Sequence, residues 1–502
     1  MKELSLGHYI SGEWKLGGGK EFSSFNPSNG QILWTGKIAT PNECDAAIFA
    51  AKTAFTSWAK LDLSERSSYL HAFVDVLKSE KKNLTNCIAN EIGKPLWEAA
   101  TEVSAMIGKL EPTEQAYRER NSDFSRQLPN GLSRTRFRPH GVIAVIGPYN
   151  FPGHMPNGHI MPALLAGNTI IFKPSENSPA VGEKIMECWN KAGLPQGVLN
   201  LLQGDASVGK YLCNHSIVRG IFFTGSRTVG ETIRNSLTVD KICALEMGGN
   251  SPLIVWDATD IDAAVFSTIQ SAFITSGQRC SAARRLILPS NDFGDRFLTK
   301  LVAISGRILI GYPSQVPEPY MGPLRNPNFV NQLIQKQEKL IKLGANPLLK
   351  SAILPLGPCF VSPGIIDVTM IKNRDDEEII GPFLQVTRVN DFDAALDEAN
   401  NSKYGLAAGI FTEEPKLYER FHEIIQAGII NWNQQLTGAS AWAPFGGIKQ
   451  SGNFRPSGYL STDYCVYSTG TIEVEKIELP KDLPPGLSFD ESPSNNFHTT
   501  IK

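Results

Sequence analysis

"RPHGVIAVIGPYNFPGHMPNGHIMPALLAGNTIIFKPSE", residues 138–176, holds two short, unbroken apolar runs at 141–147 and 168–174. Neither alternates with polar residues, so neither is a half-exposed strand. Runs of this length, bounded by Gly and Pro, read as strands buried on both faces. "RGIFFTG" (219–225) repeats the pattern, and "SPAVGEKIMECWNKAG" (178–193) between them has helical spacing. Buried parallel strands alternating with helices give an open, doubly wound α/β sheet. The stretch "IGPYNFPGHMPNGHI" (146–160) reads as a strand end followed by a Pro-rich loop.

Upstream, residues 41–120 read as helices. "LSERSSYLHAFVDVLK" (63–78) places Leu70, Phe73, Val74 and Leu77 on one face, with Ser64 as the expected N-cap. "SRQLPNGLSRTRFRP" (125–139) reads as a polar hairpin turning at "PNG". Downstream, a second αβ block begins near "KICALEMGGNSPLIVW" (241–256) and runs to about residue 460. In it, "DIDAAVFSTIQSAFITSG" (260–277) reads as a helix with Ile261, Val265, Ile269 and Phe273 on one stripe, closed by Gly277. "DYCVYSTGTIEVEKIEL" (463–479) alternates like a final strand, and the tail from Pro480 reads as an arm or a disordered segment.

The 502 residues exceed one compact core and imply two or more domains. A composition of 41% hydrophobic and 20% charged residues is globular. The formal charge of −2 and the absence of long basic runs argue against a nucleic-acid or membrane-surface role. No apolar run is long enough to span a bilayer, and the opening "MKELSLGHYISGEW" lacks the apolar region of a secretory signal. The eight cysteines, at 44, 87, 188, 213, 243, 280, 359 and 465, are scattered, which fits a reducing cytoplasm and no metal site.

Several segments place reactive residue types at the ends of these elements. "SGQRCSAARR" (276–285) carries Cys280, a nucleophile if its thiolate is made accessible and an inert small hydrophobe otherwise. "ALEMGGNSP" (244–252) ends an apolar strand with Glu246, whose burial would raise its pKa toward that of a general base; a surface or capping carboxylate is the alternative. Asn150 follows the first strand and can donate to an oxyanion or simply form a turn. "NTIIFKPSENSP" (168–179) offers Lys173 and Glu176, which can hold a ribose diol or form a loose ion pair in solvent. A carboxylate there disfavours a 2′-phosphate and so favours NAD over NADP. "FFTGSRTVGETIRNSL" (222–237) is a strand, a turn and a helix start. Gly225, Ser226, Arg227, Thr228, Val229 and Gly230 could receive a pyrophosphate there, although the full GxGxxG fingerprint is missing. Glu378 of "DDEEIIGPF" could reach a ribose, and the Gly-Gly after Phe445 in "APFGGIKQSGNFRPSGY" (443–459) allows close backbone approach.

Taken in order, "PYNFP", "KPSE", "FTGS", "EMGG", "GQRC", "EEIIGP" and "PFGG" resemble the aldehyde dehydrogenase superfamily across about residues 5–475. The resemblance implies Cys280 as nucleophile, Glu246 as the base that activates the deacylating water, and Asn150 with the Cys280 amide as oxyanion hole. It implies Lys173 and Glu176 at the adenosine ribose of NAD, Gly225 and Ser226 at the pyrophosphate, and Glu378 at the nicotinamide ribose. Ile380 stands where the family usually has Phe. The implied fold has an NAD-binding domain (1–124 and 141–246), a catalytic domain (247–460) and a β oligomerisation element (125–140 and 461–480) that pairs subunits as a homodimer or dimer of dimers. Residues 481–502 form the tail.

Within the family, the likeness is to a branch of bacterial arginine breakdown acting on an acidic semialdehyde. The segment "FPGHMPNGHI" is the part that ordinary members do not resemble. An acidic substrate needs polar or cationic groups in its tunnel. His154, Asn157, His159, Arg279, Arg455, Phe445 and the loop 434–442 are the candidates. The alternatives are a dehydrogenase of glutamate or succinate semialdehyde, an acylating CoA-dependent enzyme, and a cysteine hydrolase or thioesterase without redox chemistry. The hydrolase would need a His motif for Cys280, and none is recognisable.

Overall fold

The computed structural model describes residues 5–372 and 374–489. Two seven-stranded sheets dominate it. In the first, the strands Val142–Ile146, Thr169–Lys173, Leu199–Leu201, Val218–Gly225 and Ile242–Met247 are parallel. The two short strands His8–Ile10 and Glu13–Lys15 extend one edge antiparallel. The three apolar runs read from the sequence are buried strands of this sheet. Strand Ile242–Met247 also belongs to it, pairing Thr224 with Glu246. The second αβ block therefore starts at Ser251–Val255, not near residue 241.

The order of the first sheet sets the position of the cleft. From Val142–Ile146 the chain steps to Thr169–Lys173 and Leu199–Leu201 on one side, then returns to place Val218–Gly225 on the other. The carboxyl ends of Val142–Ile146 and Val218–Gly225 thus flank the point where strand order reverses. Helices leave that point in opposite directions and a crevice opens.

The second sheet has Ser251–Val255, Ala283–Pro289, Phe383–Val389, Gly364–Asp367, Ala407–Phe411 and Ile429–Trp432 in parallel, with Asn346–Leu349 antiparallel at one edge. By contact density, residues 5–122 and 137–467 make one compact unit, and residues 123–136 with 468–489 make another. A three-stranded sheet joins Phe124–Leu128, Gly131–Pro139 and Val466–Glu473, so the expected hairpin and final strand are both present. Residues 481–489 carry no regular structure; the remainder of the expected tail lies outside the described residues.

The helices differ from the sequence reading at three places, the third being the end of helix Ile261–Ala272. Helix Leu63–Ser79 buries Leu70, Phe73, Val74 and Leu77 as expected, but its cap is Asp62, not Ser64. Asp62 accepts from the Glu65 amide at 2.8 Å while Glu65 reaches back to the Asp62 amide, a reciprocal box that Ser64, already inside the helix, comes too late to form. The supposed Pro-rich loop becomes helix His154–Leu165, buried along most of its length. Pro156 sits in the first turn, where its missing N–H is not needed, and only Pro162 lies deeper. With no solvent face, this helix has no amphipathic signature. It packs with the preceding helices over a core that includes a stacked pair, Phe73 and Trp189, with ring centroids 3.6 Å apart.

Candidate active site

A cleft of about 1210 Å³ runs over the carboxyl ends of the first sheet and reaches the segment before strand Ala283–Pro289. Cys280, Glu246 and Asn150 all line it. Each is delivered by a different element. Asn150 ends the turn after Val142–Ile146, Glu246 is the penultimate residue of strand Ile242–Met247, and Cys280 follows the helix Ile261–Ala272.

The backbone before Cys280 is unusual. Thr275, Ser276 and Gly277 adopt φ of 58°, 51° and 68°. Two consecutive left-handed residues with side chains cost about 1–2 kcal/mol each. Neighbours hold them there. Thr275 Oγ1 donates to Glu98, Ser276 Oγ donates to the Gly322 carbonyl at 2.7 Å, and Gln278 Oε1 accepts from the Arg325 amide at 3.0 Å. A Cβ on Gly277 would collide with the Gly381 carbonyl. The helix therefore ends at Ala272, and Gly277 closes a short 3₁₀ turn beyond it. Asn150 Nδ2 donates to the Gln278 carbonyl at 2.7 Å, which leaves its second N–H available to the cleft.

Burial governs the electrostatics. It pushes the Cys280 thiol up to about 12, with Glu378 and Glu246 adding to the effect. Burial also raises Glu246 to about 7, against the opposing pull of Ser457 and the Lys109 charge. Glu246 Oε1 accepts from the Ser457 amide at 3.1 Å, while its buried Oε2 has no partner among the described residues. Glu378, also raised by burial, lies 3.4 Å from Arg284 Nη2. Gly248 is what lets it approach, because a Cβ there would overlap the carboxylate.

At the other end of the cleft lie Lys173 and Glu176, 3.9 Å apart, together with Gly225, Ser226, Thr228 and Val229. Ser226 caps helix Arg227–Ser236, its Oγ accepting from the Val229 amide at 3.4 Å. Lys173 is 3% exposed, and its Nζ donates to the Pro174 carbonyl at 2.9 Å. A buried ammonium, a helix N-terminus and a carboxylate along one crevice fit a ribose-and-pyrophosphate ligand. Two candidates do not face this crevice. Arg227 pairs with Glu231 at 2.8 Å and Gln450 at 3.1 Å, and Gly230 is the contact point of its helix with Met247.

The substrate candidates also divide. His154, Arg279 and Phe445 line the cleft, as do Gly438, Ala439, Ser440 and Ala441 of the loop 434–442. Asn157, His159 and Arg455 do not. Asn157 donates to the Gly153 carbonyl at 2.8 Å and accepts from Trp189 at 3.3 Å. His159 is wedged between Tyr464 at 2.8 Å and Thr224 at 3.3 Å, and burial lowers it to about 3. Arg455 is exposed and touches the Phe454 carbonyl. In helix His154–Leu165, position 154 faces the cleft; 159 is rotated about 140° away into the core, whereas 157, only about 60° away, lies one turn deeper where Trp189 covers it.

Sequence reasoning missed a buried support behind the site. Helix Leu96–Ile107 carries Glu98 and Glu102, one turn apart. Glu102 takes Lys94 at 2.6 Å and the amides of Gly153 and His154 at 2.9 and 3.1 Å. Glu98 takes Arg279 at 3.1 Å. Lys94 and Arg279 both lie over the Phe151 ring, at 3.5 and 4.9 Å from its centroid. The i, i+4 spacing of two acids was the available signal.

A family model described as the aldehyde dehydrogenase family matches residues 14–469. The chain belongs to this family. It is 47% identical over 484 residues to the N-succinylglutamate 5-semialdehyde dehydrogenase of Ectopseudomonas mendocina, a match covering 96% of this chain and 99% of the other. Among solved structures, an NADP-dependent enzyme of E. coli superposes with a TM-score of 0.88 at 29% identity, covering 93% of this chain and 98% of that one. A point mutant of betaine aldehyde dehydrogenase from Staphylococcus aureus, in complex with NAD⁺, superposes with a TM-score of 0.89 at 26% identity, covering 95% and 97%. As an aldehyde dehydrogenase, the protein needs one cleft that admits both a dinucleotide and an aldehyde. The volume and two-ended chemistry of the crevice meet that need.

Proposed function

We propose that this aldehyde dehydrogenase oxidises N-succinyl-L-glutamate 5-semialdehyde to N-succinyl-L-glutamate with NAD⁺, in the cytoplasm, as a step of arginine catabolism. The observation that carries the reading is the clustering of Cys280, Glu246 and Asn150 on one cleft with a cationic aldehyde end. The near-half identity to a relative of that name, across almost both chains, supports the substrate. The aldehyde has two carboxylates and its product three.

In this reading, the first sheet carries the dinucleotide and the second presents the nucleophile. Lys173 and Glu176 hold the adenosine ribose, the Ser226 turn holds the pyrophosphate, and Glu378 holds the nicotinamide ribose. Bound NAD⁺ supplies the hydride acceptor. Glu176 favours NAD over NADP by repelling a 2′-phosphate. The Cys280 sulfur rests as a thiol, so its proton must leave as it attacks. Ionised Glu246 is the group poised to take that proton. Sulfur bonds to the aldehyde carbon and the carbonyl oxygen becomes an oxyanion. The free Asn150 N–H and the Cys280 amide hold it. Loss of hydride leaves a thioester on Cys280. Glu246 passes the thiol proton on to solvent and, ionised again, deprotonates a water that adds to the thioester, expels the Cys280 thiolate and releases the acid. The three-stranded sheet is the proposed self-association element, making a homodimer or a dimer of dimers.

An aldehyde panel tests the reading. N-succinylglutamate, glutamate and succinate semialdehydes and propanal are compared by absorbance at 340 nm, for wild type and Cys280→Ala. The succinylated substrate is expected to give the highest kcat/KM, and the variant to lose about 10⁴-fold or more while still binding NAD⁺. Equal turnover of all four aldehydes would refute the substrate. Full activity without the sulfur would refute the mechanism.

A further inference from the structure

Lys109 sits at the junction of helices Leu96–Ile107 and Leu110–Arg120, 8% exposed, and lines the cleft with His154, Glu102 and Glu246. Other cations along the cleft are already neutralised. Arg279 is paired with Glu98, Arg284 with Glu378, and Lys173 with Glu176. Lys109 and Lys210 have no ion pair among the described residues, and Lys210 is exposed on helix Ala206–Asn214, at the dinucleotide end. His154 is no rival, since burial and the charges of Lys109, Lys94 and Arg279 hold it neutral. Lys109 is thus a buried ammonium that opens on the aldehyde end with no counter-ion at contact distance.

A second observation concerns the space it occupies. A Cβ on Gly158 would stand 3.0 Å from Lys109 Nζ and 3.4 Å from its Cε, tighter than ordinary contact. Glycine inside a helix costs about 0.5–1 kcal/mol relative to alanine. Its use in the middle of helix His154–Leu165 clears a place for the ammonium.

The geometry points to Lys109 as the residue that receives a carboxylate of the substrate and so sets the preference for an acidic over a neutral aldehyde. This rests on the acidic-semialdehyde reading above. A buried ammonium without a partner is unfavourable, and an incoming carboxylate relieves it. A neutral aldehyde leaves it as it was. Lys109 also acts on Glu246 through its charge, and removing it raises the carboxyl further. That second effect slows deprotonation for every aldehyde alike, so the ratio between two aldehydes isolates the carboxylate contact.

Glutarate semialdehyde and pentanal form the matched pair. They share chain length, and the first places its carboxylate where glutamate semialdehyde has one. For Lys109→Met, kcat/KM for glutarate semialdehyde relative to pentanal should fall about 10- to 100-fold, mainly through KM. Lys109→Arg should restore most of the preference. Lys109→Gln, with a polar end in the same space, carries the test if the methionine variant does not fold. An equal loss on both aldehydes, or an unchanged ratio, overturns the proposal. A wild type with no preference within the pair overturns the acidic-substrate reading instead, so the two failures are distinct.

Discussion

The segment around Cys280 and the turn around Ser226 both place functional groups at the same cleft, yet they are built in opposite ways. The turn at 224–230 is relaxed: Ser226 has extended backbone angles, caps its helix in the usual manner, and leaves Val229 exposed. The segment 275–280 holds two left-handed side-chain residues and a glycine in series, all buried and tied to Glu98, Gly322, Gly381 and Arg325. A ligand anchored by backbone amides and a helix end tolerates a generic turn. A sulfur that must meet a carbonyl carbon needs its position fixed by more contacts than the strain can break.

Changes on the two sides should therefore differ in kind as well as size. After the loss of the sulfur itself, the largest effect belongs to Glu246→Gln, which should lower steady-state turnover by about 10²–10⁴-fold. Glu246 works as a base only when ionised. Burial has raised it to about 7, so wild-type kcat should climb as pH rises through about 7 and level off above. A pH series of kcat from 5.5 to 9 should lose that limb in the variant. A variant that keeps the same limb would assign the limb to another group. Next comes Gly277→Ala. The new methyl meets the Gly381 carbonyl and φ stays positive, so the segment must shift. We expect about 2 kcal/mol or more of lost stability, seen as a lower melting temperature, and a turnover loss at least as large as tenfold, with NAD⁺ affinity little altered. Loss of NAD⁺ binding in step with turnover would erase the contrast between the two regions.

How much of this was readable beforehand follows the same division. Three strands of the first sheet were legible because burial on both faces leaves unbroken apolar runs. Helix His154–Leu165 was not, because a buried helix has no polar face and its prolines mimic a loop. Cys280, Glu246 and Asn150 were legible as residue types at element ends, but nothing local in the sequence says that Thr275 and Ser276 turn left-handed. That conformation is imposed by Glu98 and Gly322, far away in the chain. Asn157 and His159 looked like ligands because they sit beside His154, yet the helix carries them inward, against Trp189 and Tyr464. Lys109 was invisible for the converse reason: its importance depends on Gly158 and Glu246, which only the fold brings near it.

The smallest expected effect tests the relaxed side. Glu176 is half-exposed, its side chain 51% accessible, and 3.9 Å from the buried Lys173 ammonium. The repulsion of a 2′-phosphate proposed for it acts across solvent, so salt screens it. Glu176→Gln keeps the shape and a hydrogen-bonding end while removing the charge. Lys173 then loses its nearest carboxylate and, at the proposed ribose site, attracts whatever anion is offered. The ratio of kcat/KM with NADP⁺ to that with NAD⁺ should rise about tenfold at low ionic strength, and less as salt is added. Melting temperature should fall only slightly, since Glu176 is half-exposed and the Lys173 ammonium keeps its bond to the Pro174 carbonyl. A solved relative that uses NADP shares this fold at 29% identity, so the fold itself does not dictate the choice. An unchanged ratio would mean that the shape of the 173–176 turn, and not its charge, selects the dinucleotide. The relaxed region would then be as geometrically exacting as the one that holds Cys280.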